Sequence, residues 1–160
     1  MAVVRTKPIV MFLSLLASLI FMPQALAQGT VFAVVVNANN SVTNLSLLDL
    51  RKLFSGSKHS WPGGSPVKLI VRAPGCQERL ALLRLLGMSE GEYRQYWTGQ
   101  VVRGEADAEP LVVPSFGMAK EAVAAFPGGI TLVEVTSIQP GMKVIRIDGH
   151  LPSDPRYPLH

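Results

Sequence analysis

An α/β domain, with a partly parallel sheet flanked by helices, is predicted by three features of the chain. One is the apolar run Val31-Phe32-Ala33-Val34-Val35-Val36, another is a strand-turn-helix unit over 67–88, and the third is the alternation of strand-like with helix-like segments between them. Such alternation requires crossover connections, which pair strands in parallel and lay helices over the sheet.

The first segment is a leader. Arg5 and Lys7 precede the apolar stretch Ile9–Phe21, and Ala25-Leu26-Ala27 supplies the small-x-small pattern that a signal peptidase reads. As a helix that stretch rises only about 20 Å, short of the roughly 30 Å hydrocarbon core, so it reads as a secretory signal rather than an anchor. Cleavage is expected after Ala27, leaving residues 28–160 as a single periplasmic domain. With no cysteine near that junction, a lipid anchor is not expected.

The chain carries 15 Lys and Arg against 11 Asp and Glu, and Arg5 and Lys7 fall in the leader. The remaining excess of positive charge is too small to argue for nucleic acid or a membrane surface. Cys76 is the only cysteine, so an intrachain disulfide is excluded and the core must supply the stability.

In chain order, the β-branched run at 31–36 reads as a strand buried on both faces, closed by the polar loop Asn37-Ala38-Asn39-Asn40-Ser41. Ser46 with Asp49 resembles a capping box for a helix whose apolar face is Leu50, Leu53 and Phe54, stopped by Gly56. Residues 55–66 read as a Gly/Ser/Pro loop around Trp61, and 67–71 as a strand. A helix follows from about Cys76 to Leu86 with Gly87 as its C-cap, then a second capping box, Ser89 with Glu92, opens a helix bearing Tyr93, Tyr96 and Trp97. Residues 103–114 read as a loop. Ser115 caps a helix from Phe116 to Phe126 that Pro127-Gly128-Gly129 ends, Ile130–Val135 and Lys143–Ile147 read as strands, and the tail from Gly149, with Pro152, Pro155 and Pro158, as irregular.

The unit at 67–88 carries the chemistry. A strand entering a helix through Pro74-Gly75 aims the unpaired N–H groups of the helix start, and the positive end of its dipole, at one point. Arg72 and Arg79 flank that point with permanent charge. A plain βα turn has the same pattern, so the unit alone does not establish a ligand.

Several segments together carry a family resemblance. Leu45-Ser46-Leu47-Leu48-Asp49-Leu50-Arg51-Lys52-Leu53-Phe54-Ser55-Gly56, followed by Trp61-Pro62-Gly63-Gly64, resembles the LSxxELxxIFxGxxxxWxDG segment of phosphate-type periplasmic substrate-binding proteins of ABC transporters. Phe32–Asn37 resembles their hinge strand, Gly87-Met88-Ser89 to Tyr96-Trp97 their GMSxxxYxxYW segment, and Ala124-Ala125-Phe126-Pro127-Gly128-Gly129-Ile130 their xxxPGaIGY. The resemblance covers about 31–147 and implies one lobe of a type 2 periplasmic binding protein plus its hinge strands. Complete members close two lobes on the ligand. It further implies a small oxyanion such as phosphate, an ABC permease or periplasmic protein as partner, and no catalysis and no cofactor. Where phosphate binders typically carry Ser-Gly-Thr before the ligand-facing helix, this chain has Gly75-Cys76-Gln77, so those hydroxyls are missing. Arg72 falls where the family often has an arginine, and Thr131-Leu132 replaces the Gly-Tyr of the last segment.

The expected ligand set is therefore Arg72 with the backbone amides of Gly75, Cys76 and Gln77, and Ser115 as a further candidate. Arg79 faces either the anion or solvent. Trp61, Tyr93, Tyr96 and Trp97 are read as core rather than as a stacking surface. His59 has only Cys76 as a conceivable co-ligand, so no metal site is expected. Cys76, near a helix start and between two arginines, is expected to ionise more easily than a free thiol, yet no catalytic motif accompanies it. Two other readings stay open: an interaction module that has lost its ligand, self-association included, and a thiol-dependent enzyme using Cys76.

Overall fold

A computed structural model describes residues 29–160. The predicted leader and its cleavage point after Ala27 lie outside the described residues. The strands are β1 (Phe32–Val36), β2 (Asn44–Leu45), β3 (Lys68–Arg72), β4 (Leu111–Val113), β5 (Gly129–Glu134), β6 (Lys143–Val144) and β7 (Arg146–Ile147). The helices are α1 (Leu47–Phe54), α2 (Gln77–Leu86), α3 (Glu90–Val102) and α4 (Phe116–Ala125). Five strands form the main sheet in the order β4-β3-β5-β1-β6. β3 pairs in parallel with both β4 and β5, whereas β1 runs antiparallel to β5 and β6. The predicted partly parallel sheet is thus present, with β2 and β7 forming a small parallel pair beside it.

Both faces of the sheet are covered, which is why β1 is apolar at every position. Alternate residues feed two cores. Phe32, Val34 and Val36 join Leu69, Val71, Ile130 and Leu132 beneath α1–α3, while Val35, Ile70 and Val133 meet Ala119 and Val123 of α4 on the other face. The aromatic residues belong to the first core: Trp61 is 3%, Tyr93 3% and Trp97 4% exposed. Tyr96 is half-buried and donates its hydroxyl to the Ser55 carbonyl at 2.7 Å.

The helix boundaries follow the local signals. Ser89 and Glu92 make both bonds of a capping box, and Gly87 takes the left-handed conformation at φ 68°, closing α2 with Met88 N–H bonded to the Leu83 carbonyl. Asp49 is too short for the reciprocal bond: Ser46 accepts from the Asp49 N–H, but its hydroxyl donates to the Asp49 carboxylate instead. Three details differ from expectation. The supposed loop 103–114 contains β4, the strand expected over Lys143–Ile147 divides at Ile145 between the two sheets, and β2 has no strand-like pattern. Among the described residues, no helix is long and apolar enough to cross a membrane.

Candidate functional site

Parallel strands β3 and β4 end side by side, with Arg72 in register with Val113. Each is followed by a helix start. β3 turns at Gly75 (φ +91°) into α2, and Pro114-Ser115 leads from β4 into α4. Two positive helix ends therefore open at the same carboxyl edge of the sheet, where α/β folds place ligands. Arg72, Gly75, Cys76, Gln77 and Ser115 all lie on that edge. Arg72 connects its two halves by donating from Nη2 to the Pro114 carbonyl at 3.4 Å.

The helix starts differ in how they are capped. Ser115 accepts from the Met118 N–H at 3.2 Å, so its oxygen is already engaged. Cys76 is the N-cap of α2 and makes no side-chain capping bond, its thiol donating instead to the Ala73 carbonyl at 3.1 Å. The first N–H groups of α2 have no partner within the helix, as at any helix start. The electrostatics of Cys76 are opposite to the expected ones. Burial pushes the thiol upward and the Glu78 carboxylate adds to it, outweighing the Arg79 N–H and Arg72, which act in the other direction. The thiol is partly buried, and the desolvation outweighs the favourable charges around it.

Glu78, in the first turn of α2, had no part in the expected site. Its Oε1 lies 3.6 Å from Arg72 Nη1, and the two side chains are only 12% and 13% exposed. Arg72 Nε and Nη1 are buried without a hydrogen-bond partner. The arginine thus faces a carboxylate supplied by the chain itself.

Arg79 faces neither the anion nor solvent. It is 3% exposed and grips Glu90 bidentately, Nε at 2.9 Å and Nη2 at 2.8 Å, with its guanidinium 4.0 Å from the centre of the Tyr93 ring. This pair ties α2 to α3. The Arg79 hydrogen bond holds the Glu90 carboxyl below its ordinary range. A carboxyl lowered by folding contributes stability above its unfolded pKa of about 4.3 and loses it as the pH falls through the folded value. Glu90→Gln is therefore expected to cost about 2 kcal/mol at neutral pH, reduced from the buried-pair range because Glu90 is 31% exposed. Urea midpoints of wild type and variant should converge as the pH drops through that range, and a constant gap would contradict the assignment.

His59 is exposed on its loop. Among the described residues, no group of three His, Cys, Asp or Glu side chains could hold a metal ion.

No protein-family model matches the chain, and no curated protein matches its sequence. Solved structures do match in fold. They include a Clostridium perfringens protein identified as a phosphate ABC transporter substrate-binding protein, with phosphate bound (16% identity, TM-score 0.63, covering 77% of this chain and 47% of that one). An ABC-type phosphate transport receptor from Vibrio cholerae matches at 20% identity and TM-score 0.61, over 78% of this chain and 49% of its own. PstS from Borrelia burgdorferi matches at 18% identity and TM-score 0.59, again over 78% and 49%. The chain spans about half the length of these proteins. Likeness at this level of identity concerns the fold, and the fold is that of one lobe of a periplasmic substrate-binding protein.

Proposed function

We propose that the protein is a non-catalytic, exported binder of a small oxyanion of the phosphate type, acting outside the cytoplasm in ABC-type uptake or sensing. One observation carries this reading: Arg72 stands where the starts of α2 and α4 open on the same sheet edge. The backbone amides of Gly75, Cys76 and Gln77 would act with Arg72, and the Ser115 hydroxyl proton is free to donate from the α4 side. The Clostridium perfringens protein, which shares this fold and holds phosphate, supports the same ligand class. A thiol enzyme is disfavoured because burial raises Cys76 rather than activating it.

Affinity in a single lobe should be weak. A lobe without its counterpart leaves about half of the anion hydrated, where each charge contact contributes about 1 kcal/mol. A dissociation constant near 1 mM, about −4 kcal/mol, is expected for the monomer. Two copies meeting cleft to cleft would restore the enclosure. The test is a calorimetric titration with phosphate and with sulfate, on wild type and Arg72→Ala, at low salt and at 0.5 M salt, where the Debye length shrinks to roughly 4 Å. Binding should weaken with salt and vanish in Arg72→Ala. Micromolar binding by a strict monomer would refute the half-site argument, and binding indifferent to both salt and Arg72→Ala would remove the site.

The partly buried Arg72–Glu78 pair favours a second reading, in which the lobe is kept as an interaction module and ligand binding is lost. Absence of any phosphate or sulfate binding, with a partner or a second copy held by this edge, is the result that reading requires.

A further inference from the structure

We propose that Glu78 is the resident counter-ion of the oxyanion site, a tethered carboxylate that occupies Arg72 and must be displaced before an external anion can bind. The inference rests on the oxyanion reading above and names the residue that sets the affinity of that site.

Three observations meet at Glu78. Its carboxylate is 3.6 Å from Arg72 Nη1, a charge contact without ideal hydrogen-bond geometry. The Arg72 Nε and Nη1 atoms are buried and unpartnered, so the guanidinium retains donors that Glu78 does not satisfy. The space left among Arg72, Glu78, Thr131, Leu82 and Ile70 is about 10 Å³. That is at most one water, so no tetrahedral oxyanion enters between Arg72 and the core residues beside it while the pair stands.

The turn explains why the pair forms. Gly75 at φ +91° folds the first turn of α2 back over the end of β3, which brings position 78 over position 72. An acidic residue in a first turn is also favoured by the helix dipole, so Glu78 answers the same field that would attract an external anion. A carboxylate held this close competes at a high effective concentration, and the free ligand must overcome it at every binding event. The pairing is loose, however, and an anion that reaches Nε and Nη1 would gain bonds that Glu78 does not make.

The experiment is a phosphate titration by calorimetry of wild type, Glu78→Gln, Glu78→Ala and the double variant Arg72→Ala/Glu78→Gln. Glutamine and alanine are both good helix formers at an N-terminal turn position, and two replacements guard against one that does not fold. Glu78→Gln and Glu78→Ala should each bind phosphate at least tenfold more tightly than wild type, and the double variant should lose that gain. Phosphate should also raise the melting temperature of the single variants more than that of wild type. Unchanged affinity in both single variants overturns the inference, while the oxyanion reading survives if wild-type binding is still abolished by Arg72→Ala. A gain that persists in the double variant also overturns it, because the effect would then come from net charge and not from Arg72. If neither wild type nor any variant binds phosphate, both the inference and the reading beneath it fall.

Discussion

Gly128→Ala is expected to destabilise the fold by about 3 kcal/mol or more, a large effect for a single methyl group. A Cβ at this position would lie 1.9 Å from the Pro66 carbonyl oxygen and 3.0 Å from its carbon, with Trp61 Nε1 3.5 Å away. Neither side can withdraw cheaply. The Gly128 carbonyl accepts from Trp61 Nε1 at 3.0 Å and from the Lys68 N–H at 2.9 Å, while Val67 is bonded to the His59 carbonyl at 2.8 Å. Relief of the clash therefore requires moving the start of β5 away from β3 or lifting the buried Trp61 out of the core. Equilibrium urea unfolding gives the cost directly. A loss below about 1 kcal/mol would mean that the 55–67 loop is a soft surface segment rather than part of the core.

That close approach bears on the site as well as on stability, because it fixes where β3 starts. Trp61 and Gly128 pin the amino end of β3 against β5, and Arg72 projects from the carboxyl end of the same strand. The register Lys68↔Gly129 and Leu69↔Ile130 then determines the level at which Arg72 emerges beside Val113 and the α4 start. A loosened Gly128 contact would therefore be felt at the sheet edge that carries the candidate site, through the strand that connects them.

The helices and the central strands were legible because their causes are local. Ser89 with Glu92, Ser115, and Gly87 mark helix ends by hydrogen bonds that span a few residues, and the run at 32–36 is apolar because both its faces are covered. β4 was hidden because only three residues, Leu111–Val113, lie between Pro110 and Pro114, a composition that reads as loop. The division of 143–147 is likewise tertiary. Ile145 N–H bonds the Val34 carbonyl, whereas Arg146 N–H bonds Thr43, so the chain changes sheets within one residue.

The candidate site divides in the same way. Arg72 and the Pro74-Gly75 turn announce a helix-start anion geometry in sequence, and the structure places Ser115 on the same edge. The place of Arg79 is not legible in sequence because its partners, Glu90 and Tyr93, belong to the next helix and only the packing of α2 on α3 brings them together. Cys76 departs from expectation because dipole and arginine charges are visible in sequence while burial is not, and burial is the larger effect. The Arg72–Glu78 pair is not legible in sequence because it depends on how the turn at Gly75 sets the start of α2 against the end of β3.

Removing the tail beyond Asp154 is expected to cost about 4–6 kcal/mol, close to the entire stability of many domains of this size. The irregularity expected from Gly149 onward is real, but the segment is not a surface appendage. Tyr157 is 1% exposed and Leu159 6%, both within the core formed by Phe32, Leu45, Leu50 and Ile147, and the Leu159 carbonyl accepts from the Phe32 N–H at 2.9 Å. Deletion would expose the first residue of β1, leave its N–H without a partner, and open the space between β1 and α1. The point variant Tyr157→Ala isolates the packing component, for which about 3–5 kcal/mol is expected, as for other large aromatic truncations. If burial is the cause, Tyr157→Ala should account for most of the deletion's effect in urea unfolding, and Leu159→Ala for about 2 kcal/mol or more. A truncated chain that unfolds at the wild-type midpoint would show that the tail rests on the core without supporting it. A large deletion effect with a small Tyr157→Ala effect would instead move the contribution to the backbone bond at Phe32, where β1 begins.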